Sequence, residues 1–444
     1  MLDTIFKAYD IRGVYPDELD EDLARRIGNA FAVFTGAPKL VVARDMRPSS
    51  PPLSDAFIEG ATLAGASVVD AGLASTDLLY FASGRLDAPG AMFTASHNPA
   101  EYNGIKMCRA GAAPVGQDTG LDEIKAAVAE ERLERADTPG TVEQRDLVGE
   151  FAEHVRSFID VDLRPLKVVA DTANGMGGLV VPRVFDGLPF ELTVLFPELD
   201  GSFPNHPADP IQAENLRDLQ RVVLEKGADV GLAFDGDADR VFLVDDQAQP
   251  LSGSLTTAIV AKGILEQHPG ETIVYNLICS RAVPEIVREM GGTPVRTRVG
   301  HSFIKRVMAE TGAIFGGEHS GHYYFRHNFR ADSGIIAAIV VLAQLSQAEK
   351  PLSELRQPFE RYAASGEINT RVSDQKAVMG KVSGAFDSCP QEYLDGLSVE
   401  CDRFWFNVRP SNTEPLLRLN LEAVDSDTCA EKTEEVLALI RSAA

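Results

Sequence analysis

The alternation of short β-branched runs with longer segments of helical period most constrains the fold of this chain, because it is the pattern of α/β domains. Three runs, at residues 40–45, 168–173 and 273–277, are similar to one another. Each is an apolar strand that ends in polar residues and leads into a helix-like segment. Their spacing, roughly one small domain, predicts a triplicated α/β unit. The alternative is that buried parallel strands in general have this composition.

Length and composition predict where the units end. A chain of 444 residues exceeds what one hydrophobic core usually supports, so two to four domains are expected. The charged stretch 123–145 closes the first unit, a loop at 247–253 follows the second, and a polar linker at 351–357 precedes the last. We therefore predict α/β domains over 1–148, 149–250 and 251–358. A smaller α+β domain over 359–444 would contain strands at 404–408 and 416–421 and a closing amphipathic helix at 428–440.

The net charge restricts the possible partners. A formal charge of -24 argues against nucleic acid or an anionic membrane surface, since both require clustered Lys and Arg. A phosphate ligand would need a local basic site within this repelling field. The first candidates for that site are the cations near the polar loops described below: Arg12, Arg44, Arg47, Lys106, Arg240, Lys305 and Arg409.

The cysteines and the apolar runs indicate a compartment. The five cysteines are scattered and have no Cys-x-x-Cys spacing, which predicts neither a disulfide framework nor a structural zinc site. We expect a reducing cytoplasm. The longest apolar run, residues 335–343, is about half of what would span a bilayer, and no targeting segment opens the chain, so no membrane association is expected.

A serine stands in a turn at the end of an apolar segment. Ser96 lies between residues 91–93 and Pro99, so its hydroxyl is placed at a strand end on a rigid turn, with the cation Lys106 close in sequence. This pattern suggests a serine that carries phosphate. Two alternatives stay open. The turn could merely satisfy its own backbone, or Ser96 and His97 could belong to a hydrolase, although adjacency in sequence does not supply the geometry of a triad.

Three alternating aspartates follow another apolar run. Asp235, Asp237 and Asp239 stand directly between residues 230–234 and the strand-like residues 241–244. Three hard oxygen ligands on one tight loop suit Mg²⁺, and packing three carboxylates together in apolar surroundings is strongly unfavourable without a cation. An EF-hand is unlikely because Arg240 occupies the sixth position, where Gly is required. Arg240 is placed to contact a phosphate on the same metal.

A Gly-flanked loop carries Glu318, Ser320 and His322 after the strand-like residues 313–315. A carboxylate beside a hydroxyl is suited to sugar hydroxyls, because one group accepts hydrogen bonds and the other both donates and accepts. The alternative is a His/Glu metal site. No pair in this loop has the four-residue helical spacing that would support zinc.

A fourth loop is rich in hydrogen-bond donors. Pro410 and Pro415 stiffen the two ends of a run that contains Arg409, Ser411, Asn412 and Thr413. Such a loop can wrap a phosphate with guanidinium, hydroxyl and backbone N–H groups. The alternative is a capped turn between two strands.

Taken together, the four loops, in this order and at these intervals, resemble the α-D-phosphohexomutase superfamily, and most of all its bacterial phosphomannomutase branch. The similarity runs from residues 6–13 to Arg418 and includes residues 174–177, 200–206 and 300–305. The resemblance implies four domains around a central cleft, three of them similar α/β units with mixed sheets and the fourth a smaller α+β domain.

The resemblance also implies a role for each site residue. Ser96 would be the phosphoserine and, with Asp235, Asp237 and Asp239, would hold Mg²⁺. Glu318, Ser320 and His322 would bind the sugar, and the distal phosphate would be bound by Arg409, Ser411, Asn412, Thr413 and Arg418. Arg12, Lys106, Arg240 and His301 would line the catalytic part of the cleft, with Lys106 or His301 transferring protons.

The chemistry implied is an intramolecular phosphoryl transfer between sugar phosphates. Ser96 would phosphorylate a hexose phosphate to a hexose 1,6-bisphosphate, which reorients and returns its other phosphate to the serine. Mannose, then glucose, then glucosamine phosphate is the expected order of sugar preference, with use of both mannose and glucose phosphates as an alternative. It depends on positions that vary between branches, namely His319 and Ile278. The protein would be a monomer or small homo-oligomer.

Two alternatives from other classes stay open. The Asp235 loop also resembles the nucleophile loop of aspartate-dependent phosphatases, in which Asp235 would carry the phosphate. The third aspartate and the Ser96 loop count against this. A non-catalytic sugar-phosphate binding protein would be expected to lack Ser96 or a metal ligand, and this chain has all of them.

Overall fold

The computed structural model describes residues 2–411 and 416–442 and arranges their strands in four sheets. The first sheet contains β1 (Ile11–Val14), β2 (Lys39–Arg44), β3 (Ser67–Leu73), β4 (Gly90–Phe93), β5 (Tyr102–Arg109), β6 (Ala113–Pro114) and β7 (Val142–Gln144). The second contains β8 (Lys167–Asp171), β9 (Glu191–Leu195), β10 (Val230–Phe234), β11 (Val241–Asp245) and β12 (Pro250–Leu251). The third contains β13 (Thr272–Asn276), β14 (Thr293–Thr297), β15 (Phe315–Gly317) and β16 (Tyr323–Phe325). The fourth contains β17 (Ala363–Arg371), β18 (Gln391–Glu392), β19 (Leu397–Glu400), β20 (Phe404–Pro410) and β21 (Leu416–Ala423).

The α-helices lie between these strands. In chain order they are α1 (Leu2–Ile5), α2 (Glu21–Thr35), α3 (Ser50–Leu63), α4 (Thr76–Leu86), α5 (Leu121–Ala129), α6 (Val148–Arg156), α7 (Gly177–Phe185), α8 (Arg217–Lys226), α9 (Gly253–Gln267), α10 (Ala282–Glu289), α11 (His301–Thr311), α12 (Gly334–Gln347), α13 (Leu352–Leu355), α14 (Gln375–Ala385) and α15 (Ser426–Arg441).

The first three sheets share one strand order. Three parallel strands followed by one antiparallel strand run β3-β2-β4-β5 in the first, β9-β8-β10-β11 in the second and β14-β13-β15-β16 in the third. The second strand of each series, β2, β8 or β13, is one of the three similar apolar runs. The predicted triplication and the mixed sheets are therefore confirmed. The fourth sheet is antiparallel throughout, in the order β17-β21-β20-β19-β18.

This shared order places the polar loops at equivalent positions. In each of the three sheets the last parallel strand turns back into its antiparallel neighbour. Ser96 lies in the turn between β4 and β5, the three aspartates in the turn between β10 and β11, and Glu318 in the turn between β15 and β16. The Arg409 loop follows β20, and its residues 412–415 lie outside the described part of the chain.

Among the described residues, one apolar cluster joins the three α/β units and does not extend into the fourth. One buried cluster extends from β2 and α4 through β8 and β10 to α9 and α12. The α12 side chains are buried almost all round, which explains the uniform hydropathy of residues 335–343. Among the described residues no single helix is long and apolar enough to cross a membrane. One pair, Gly334–Gln347 with Leu352–Phe359, meets the length and composition criteria together but is bent by 96°.

The fourth unit has its own core, formed between its sheet and helices α14 and α15. Polar contacts attach it to the third unit: Arg281 Nη2 lies 2.6 Å from Glu400 Oε2, and Arg296 Nη1 lies 3.0 Å from Glu392 Oε2. A unit with a separate core and a charged interface can move as a body more easily than units that share a core.

One expectation from the sequence is wrong. Cys389 and Cys401 form a disulfide, because the fold brings the two ends of a short segment of the fourth unit together, which the linear spacing did not reveal. The segment 351–357, predicted as a polar linker, contacts the second unit. It contains α13, and Ser353 N and Oγ donate to the two carboxylate oxygens of Asp246 at 2.8 and 2.9 Å. The exact boundaries at 148, 250 and 358 stay predictions.

Candidate active site

Ser96 is held in a strained turn against the second unit. Its φ is 49°, in the left-handed region that a non-glycine residue rarely adopts. The buried hydroxyl donates to Asp235 Oδ2 at 2.7 Å and lies 3.1 Å from His97 Nδ1. Thr94 Oγ1 accepts the Ser96 N–H at 2.9 Å. A strained residue whose hydroxyl is bonded across a domain boundary is typical of a functional site.

The predicted phosphate cation Arg47 has a different task. Its guanidinium is fully buried and donates to the backbone oxygens of Ser96 at 2.8 Å, of Asn98 at 2.7 Å, of Pro99 at 2.7 Å and of Tyr102 at 3.0 Å. Its Nε lies 3.2 Å from Asp45 Oδ2. The expectation that Arg47 contacts an anionic ligand is therefore wrong, because its donors are occupied by the turn that carries Ser96.

Arg12 reaches the same turn from β1. Its Nη1 donates to Asn98 Oδ1 at 2.7 Å and its Nη2 to Asp10 Oδ2 at 2.5 Å. Arg12 is thus placed beside the Ser96 turn, and its role in the catalytic part of the cleft stays a prediction.

The three aspartates converge on one point. A carboxylate oxygen from each of Asp235, Asp237 and Asp239 lies within 4.8 Å of the others, and all three residues are buried. Asp237 Oδ1 and Asp239 Oδ1 are buried and have no hydrogen-bond partner among the described residues. Unpaired buried anionic oxygens are costly. This donor set fits a divalent cation, because Mg²⁺ prefers carboxylate oxygens.

Two cations balance part of this charge. Lys106 Nζ lies 2.7 Å from Asp237 Oδ2 and 2.6 Å from Asp239 Oδ2. Burial alone would lower the pKa of Lys106, but the two carboxylates outweigh it and raise that pKa well above its ordinary value. Arg240 Nε donates to Asp235 Oδ2 at 2.9 Å, while its buried Nη2 has no hydrogen-bond partner among the described residues.

The aspartates differ in their affinity for a proton. Burial and the neighbouring carboxylates raise the pKa of Asp235 to about 7, although Arg240 opposes the shift. Burial acts in the same direction on Asp237, but the adjacent Lys106 ammonium outweighs it and lowers the pKa of Asp237 below its ordinary value.

A chain of charged side chains leads from the aspartates to the third unit. His322 Nδ1 lies 3.8 Å from Asp239 Oδ1 and 3.0 Å from Asp332 Oδ2. Asp332 Oδ1 in turn lies 2.9 Å from Lys305 Nζ, which stands 3.8 Å from the centre of the Tyr80 ring. The imidazole of His322 therefore lies between two carboxylates at the edge of the aspartate cluster, while its backbone oxygen accepts from Glu318 N at 3.0 Å.

The carboxylate of Glu318 is held by three donors of the third unit. Its Oε1 accepts from Tyr324 Oη at 2.5 Å, and its Oε2 accepts from Asn276 Nδ2 at 3.0 Å and from Gly300 N at 3.3 Å. The half-buried Ser320 makes no side-chain hydrogen bond to another described residue. Its hydroxyl is available to a ligand.

A cavity of about 1090 Å³ adjoins Gly300 and is lined by the first, third and fourth units. Arg409, Ser411 and Arg418 line it from the fourth unit, and Lys305 from the third. Arg409 and Arg418 are cross-strand neighbours that share Glu367, at 2.6 and 3.4 Å. The predicted residues Asn412 and Thr413 lie outside the described part of the chain.

His301 stands at the start of α11, next to the cavity-lining Gly300, with its ring centre 5.1 Å from that of Tyr9. Burial and the nearby Lys305 cation lower the pKa of His301 to about 3. The imidazole is therefore neutral at pH 7 and can accept a hydrogen bond.

Comparison with known proteins agrees with this geometry. Four sequence models described as phosphoglucomutase/phosphomannomutase match in order: α/β/α domain I at residues 3–135, domain II at 149–249, domain III at 252–362 and the C-terminal domain at 367–439. The chain belongs to the phosphoglucomutase/phosphomannomutase family. It is accordingly an enzyme of the phosphohexomutase type, an intramolecular phosphotransferase.

Individual members of the family are similar over their whole length. The chain is 41% identical over 442 residues to a phosphomannomutase of Methanocaldococcus jannaschii, with 98% of this chain and 97% of the relative covered. It is 40% identical to proteins named phosphohexose mutases from Xanthomonas campestris, covering 98% and 99%. A crystal structure of a phosphoglucomutase/phosphomannomutase family protein from Burkholderia thailandensis has a TM-score of 0.91 at 34% identity and covers 99% of this chain and 97% of the other.

The hydrolase alternative for Ser96 finds no support in this family member. His97 is bonded to no carboxylate in the described residues, and the Ser96 hydroxyl donates to Asp235 rather than to a base held by a third group.

Several site residues were missed by sequence reasoning. Asp332 and Tyr324 orient His322 and Glu318, and Thr76 Oγ1 donates to Asp237 Oδ2 at 2.6 Å. The sequence signal that could have pointed to Thr76 and Asp332 is that each adjoins a serine, Ser75 or Ser333, which precedes an apolar helical run and predicts a helix N-cap. The packing of separate units determines which atom of the aspartate loop, residues 235–240, a residue at a helix start contacts. The linear sequence does not show this.

Proposed function

We propose that this family member is a Mg²⁺-dependent phosphomannomutase, which interconverts mannose 6-phosphate and mannose 1-phosphate through phosphoserine 96 and a hexose 1,6-bisphosphate. The observation that carries the proposal is the hydrogen bond from Ser96 Oγ to Asp235 Oδ2 at 2.7 Å, beside two buried carboxylate oxygens without partners. A nucleophilic hydroxyl adjoining a cation site is the arrangement that phosphoryl transfer requires. The names of the relatives support mannose as the sugar.

In the proposed reaction the bond between Ser96 Oγ and phosphorus breaks, and a bond forms from phosphorus to the free hydroxyl oxygen of the bound hexose phosphate. The proton of that hydroxyl is taken up by a residue of the cleft, for which His301 is the candidate, since its imidazole is neutral at pH 7. Lys106 is held as an ammonium by Asp237 and Asp239, so it can donate a proton but cannot accept one. The bisphosphate reorients in the cleft and the reverse transfer from its other end restores phosphoserine. Arg12 and Arg240 stabilise negative charge on the transferring group.

Asp235, Asp237 and Asp239, with the Ser96 oxygen, would hold the cation. When bound, Mg²⁺ would neutralise charge on the phosphoryl oxygens. At the other end of the cleft, Arg409, Ser411, Asn412, Thr413 and Arg418 would bind the phosphate that is not transferred, while Glu318, Ser320 and the edge of the His322 side chain would contact the sugar.

Phosphorus NMR of the purified protein tests the proposal. The protein is given Mg²⁺, a trace of glucose 1,6-bisphosphate and mannose 1-phosphate, in parallel with the glucose and glucosamine 1-phosphates. We expect the 6-phosphate signal to appear fastest with mannose, without inorganic phosphate. Release of inorganic phosphate would favour a phosphatase, and faster conversion of another sugar would overturn the assignment to mannose.

A further inference from the structure

The start of helix α4, in the first unit, contacts the loop of the second unit that contains Asp235, Asp237 and Asp239. Thr76, fully buried, donates its hydroxyl to Asp237 Oδ2 at 2.6 Å and its backbone N–H to Asp237 O at 3.0 Å. A single residue of the first unit therefore holds both the side chain and the main chain of an aspartate in the second.

These hydrogen bonds determine which carboxylate oxygen of Asp237 remains available to a cation. Oδ2 receives Thr76 Oγ1 and Lys106 Nζ, whereas Oδ1 is buried and receives no donor from the described residues. Without the Thr76 hydroxyl, Oδ2 would keep only the ammonium of Lys106, which sits on a flexible four-carbon stem. The carboxylate could then rotate, and its free oxygen would no longer be fixed.

Thr76 is itself held by a buried link between two helix starts. Ser75 caps α4 by accepting from Leu78 N at 3.4 Å, and Ser333 caps α12 by accepting from Ile336 N at 3.2 Å. Both serine hydroxyls also donate to Asp77, the Ser333 hydroxyl at 2.6 Å to Oδ2. The carboxylate of Asp77 thus ties the start of α12, in the third unit, to the residue next to Thr76.

We propose that Thr76 is a positioning residue that orients Asp237 toward the divalent cation, and that the Ser75–Asp77–Ser333 link makes this orientation depend on the seating of α12. The inference rests on the metal-dependent function proposed above. It adds that cation affinity is set by contacts from the first and third units as well as by the aspartates of the second.

The role of Thr76 is tested by titrating the full-length protein with Mn²⁺ in the absence of sugar and measuring the bound ion by electron paramagnetic resonance. The Thr76→Val variant keeps the side-chain shape but loses the donor, and Thr76→Ser keeps the donor. We expect the Mn²⁺ dissociation constant to rise about tenfold in Thr76→Val, equivalent to about 1.4 kcal/mol, and to stay within about twofold of the parent in Thr76→Ser.

Thr172→Val is the matched control. Thr172 is also fully buried, and its hydroxyl donates to a backbone oxygen, that of Phe196, at 2.8 Å. Its loss should lower thermal stability and leave Mn²⁺ affinity unchanged. Equal weakening in both valine variants, or no weakening in Thr76→Val, would overturn the role of Thr76.

Ser333→Ala tests the link to the third unit. It removes one donor to Asp77 and should weaken Mn²⁺ binding in the same direction as Thr76→Val but less, about threefold. Unchanged affinity in a folded Ser333→Ala protein would overturn the link. Because binding is read without substrate, these results stand apart from the mutase assay: absence of mutase activity in the parent protein would contradict the proposed function without altering the Mn²⁺ comparison.

Discussion

At the scale of single residues, the Ser96 turn depends on a buried side chain that donates only within the protein. Arg47 shapes the Ser96 turn through four backbone oxygens, and a planar guanidinium with several fixed donors is what such a set of acceptors requires. This turn holds Ser96 at a positive φ, which is unfavourable for a serine.

Replacing Arg47 by Lys should therefore damage both the fold and the site. Lys supplies one point charge and cannot reach all four oxygens, so we expect the free energy of unfolding to fall by about 3 kcal/mol and mutase activity to fall at least tenfold. Chemical denaturation and a mutase assay measure the two effects. The control is Arg221→Lys on the surface of α8, where the ion pairs are exposed and little change is expected. Equal, small effects at both positions would contradict this account of Arg47.

At the scale of elements, the recurring feature is the turn that follows the last parallel strand of each α/β sheet. Two of these turns meet: a Cβ placed on Gly236 would lie 2.3 Å from Ser96 O. The turn that contains Asp235 and the turn that contains Ser96 can approach each other this closely only because residue 236 has no side chain.

Gly236→Ala should separate the two turns. Loss of the Ser96–Asp235 contact misplaces the reacting hydroxyl, and a displacement of about 1 Å can cost about a hundredfold in rate, so we expect mutase activity to fall by that order. Gly149→Ala is the control, since a Cβ there meets nothing within 4 Å. Full activity in a folded Gly236→Ala protein would show that the close approach is not required.

A second element-scale contact should respond to pH. His206, in the loop after β9, lies 3.1 Å from Asp171 Oδ2 at the end of β8. Burial lowers the pKa of His206, but the hydrogen bond and charge of Asp171 outweigh it and raise that pKa. The pairing therefore stabilises the fold below the unfolded pKa of about 6.5, and the stabilisation is lost as pH rises through the raised folded pKa.

A double-mutant cycle of His206→Gln and Asp171→Asn, followed by denaturant unfolding at several pH values, measures this contact. The coupling free energy should be largest near pH 5.5 and should shrink toward about pH 9, where the imidazole is neutral. A coupling that grows with pH would contradict the assigned direction of the pKa shift.

The comparison of sequence with structure separates what local pattern determines from what packing determines. The strands β2, β8 and β13 and the loops that contain Ser96, Asp235 and Glu318 could be predicted, because apolar runs and turn residues act locally. His322 shows the limit: the sequence assigned it to sugar binding with Glu318 and Ser320, which stays a prediction, but it gave no sign that packing places the imidazole between Asp239 and Asp332. Arg47 and Thr76 make contacts between separate segments, and no spacing in the chain encodes them.

At the scale of the whole molecule, one apolar cluster extends through the three α/β units, each of which also has a cluster of its own, while the described part of the fourth unit has a separate core. The fourth unit contains the Arg409 loop and meets the third through ion pairs such as Arg281–Glu400. With the function proposed above, this division would suit a site in which one wall, carrying the loop proposed to bind phosphate, moves relative to the others to exclude water.

The division predicts separate unfolding of the fourth unit. Cys389 and Cys401 close a loop with a separation of 12 residues, and removing such a loop constraint costs about 3 kcal/mol. In calorimetry, the double change Cys389→Ser and Cys401→Ser should lower the midpoint temperature of the transition in which the fourth unit unfolds and leave that of the other three units unchanged. Cys108→Ser in the first unit should lower only the midpoint temperature of the three-unit transition. A single transition shifted by both changes would contradict independent unfolding.

The central claim, that Ser96 carries the phosphoryl group, is tested most directly by peptide mass spectrometry after incubation with Mg²⁺ and glucose 1,6-bisphosphate. We predict one phosphoryl group, stable to hydroxylamine, on the peptide that contains Ser96, and none on that peptide in a Ser96→Ala protein. A hydroxylamine-labile phosphoryl group on Asp235, or an unmodified Ser96 in a protein that still isomerises sugar phosphates, would contradict the account.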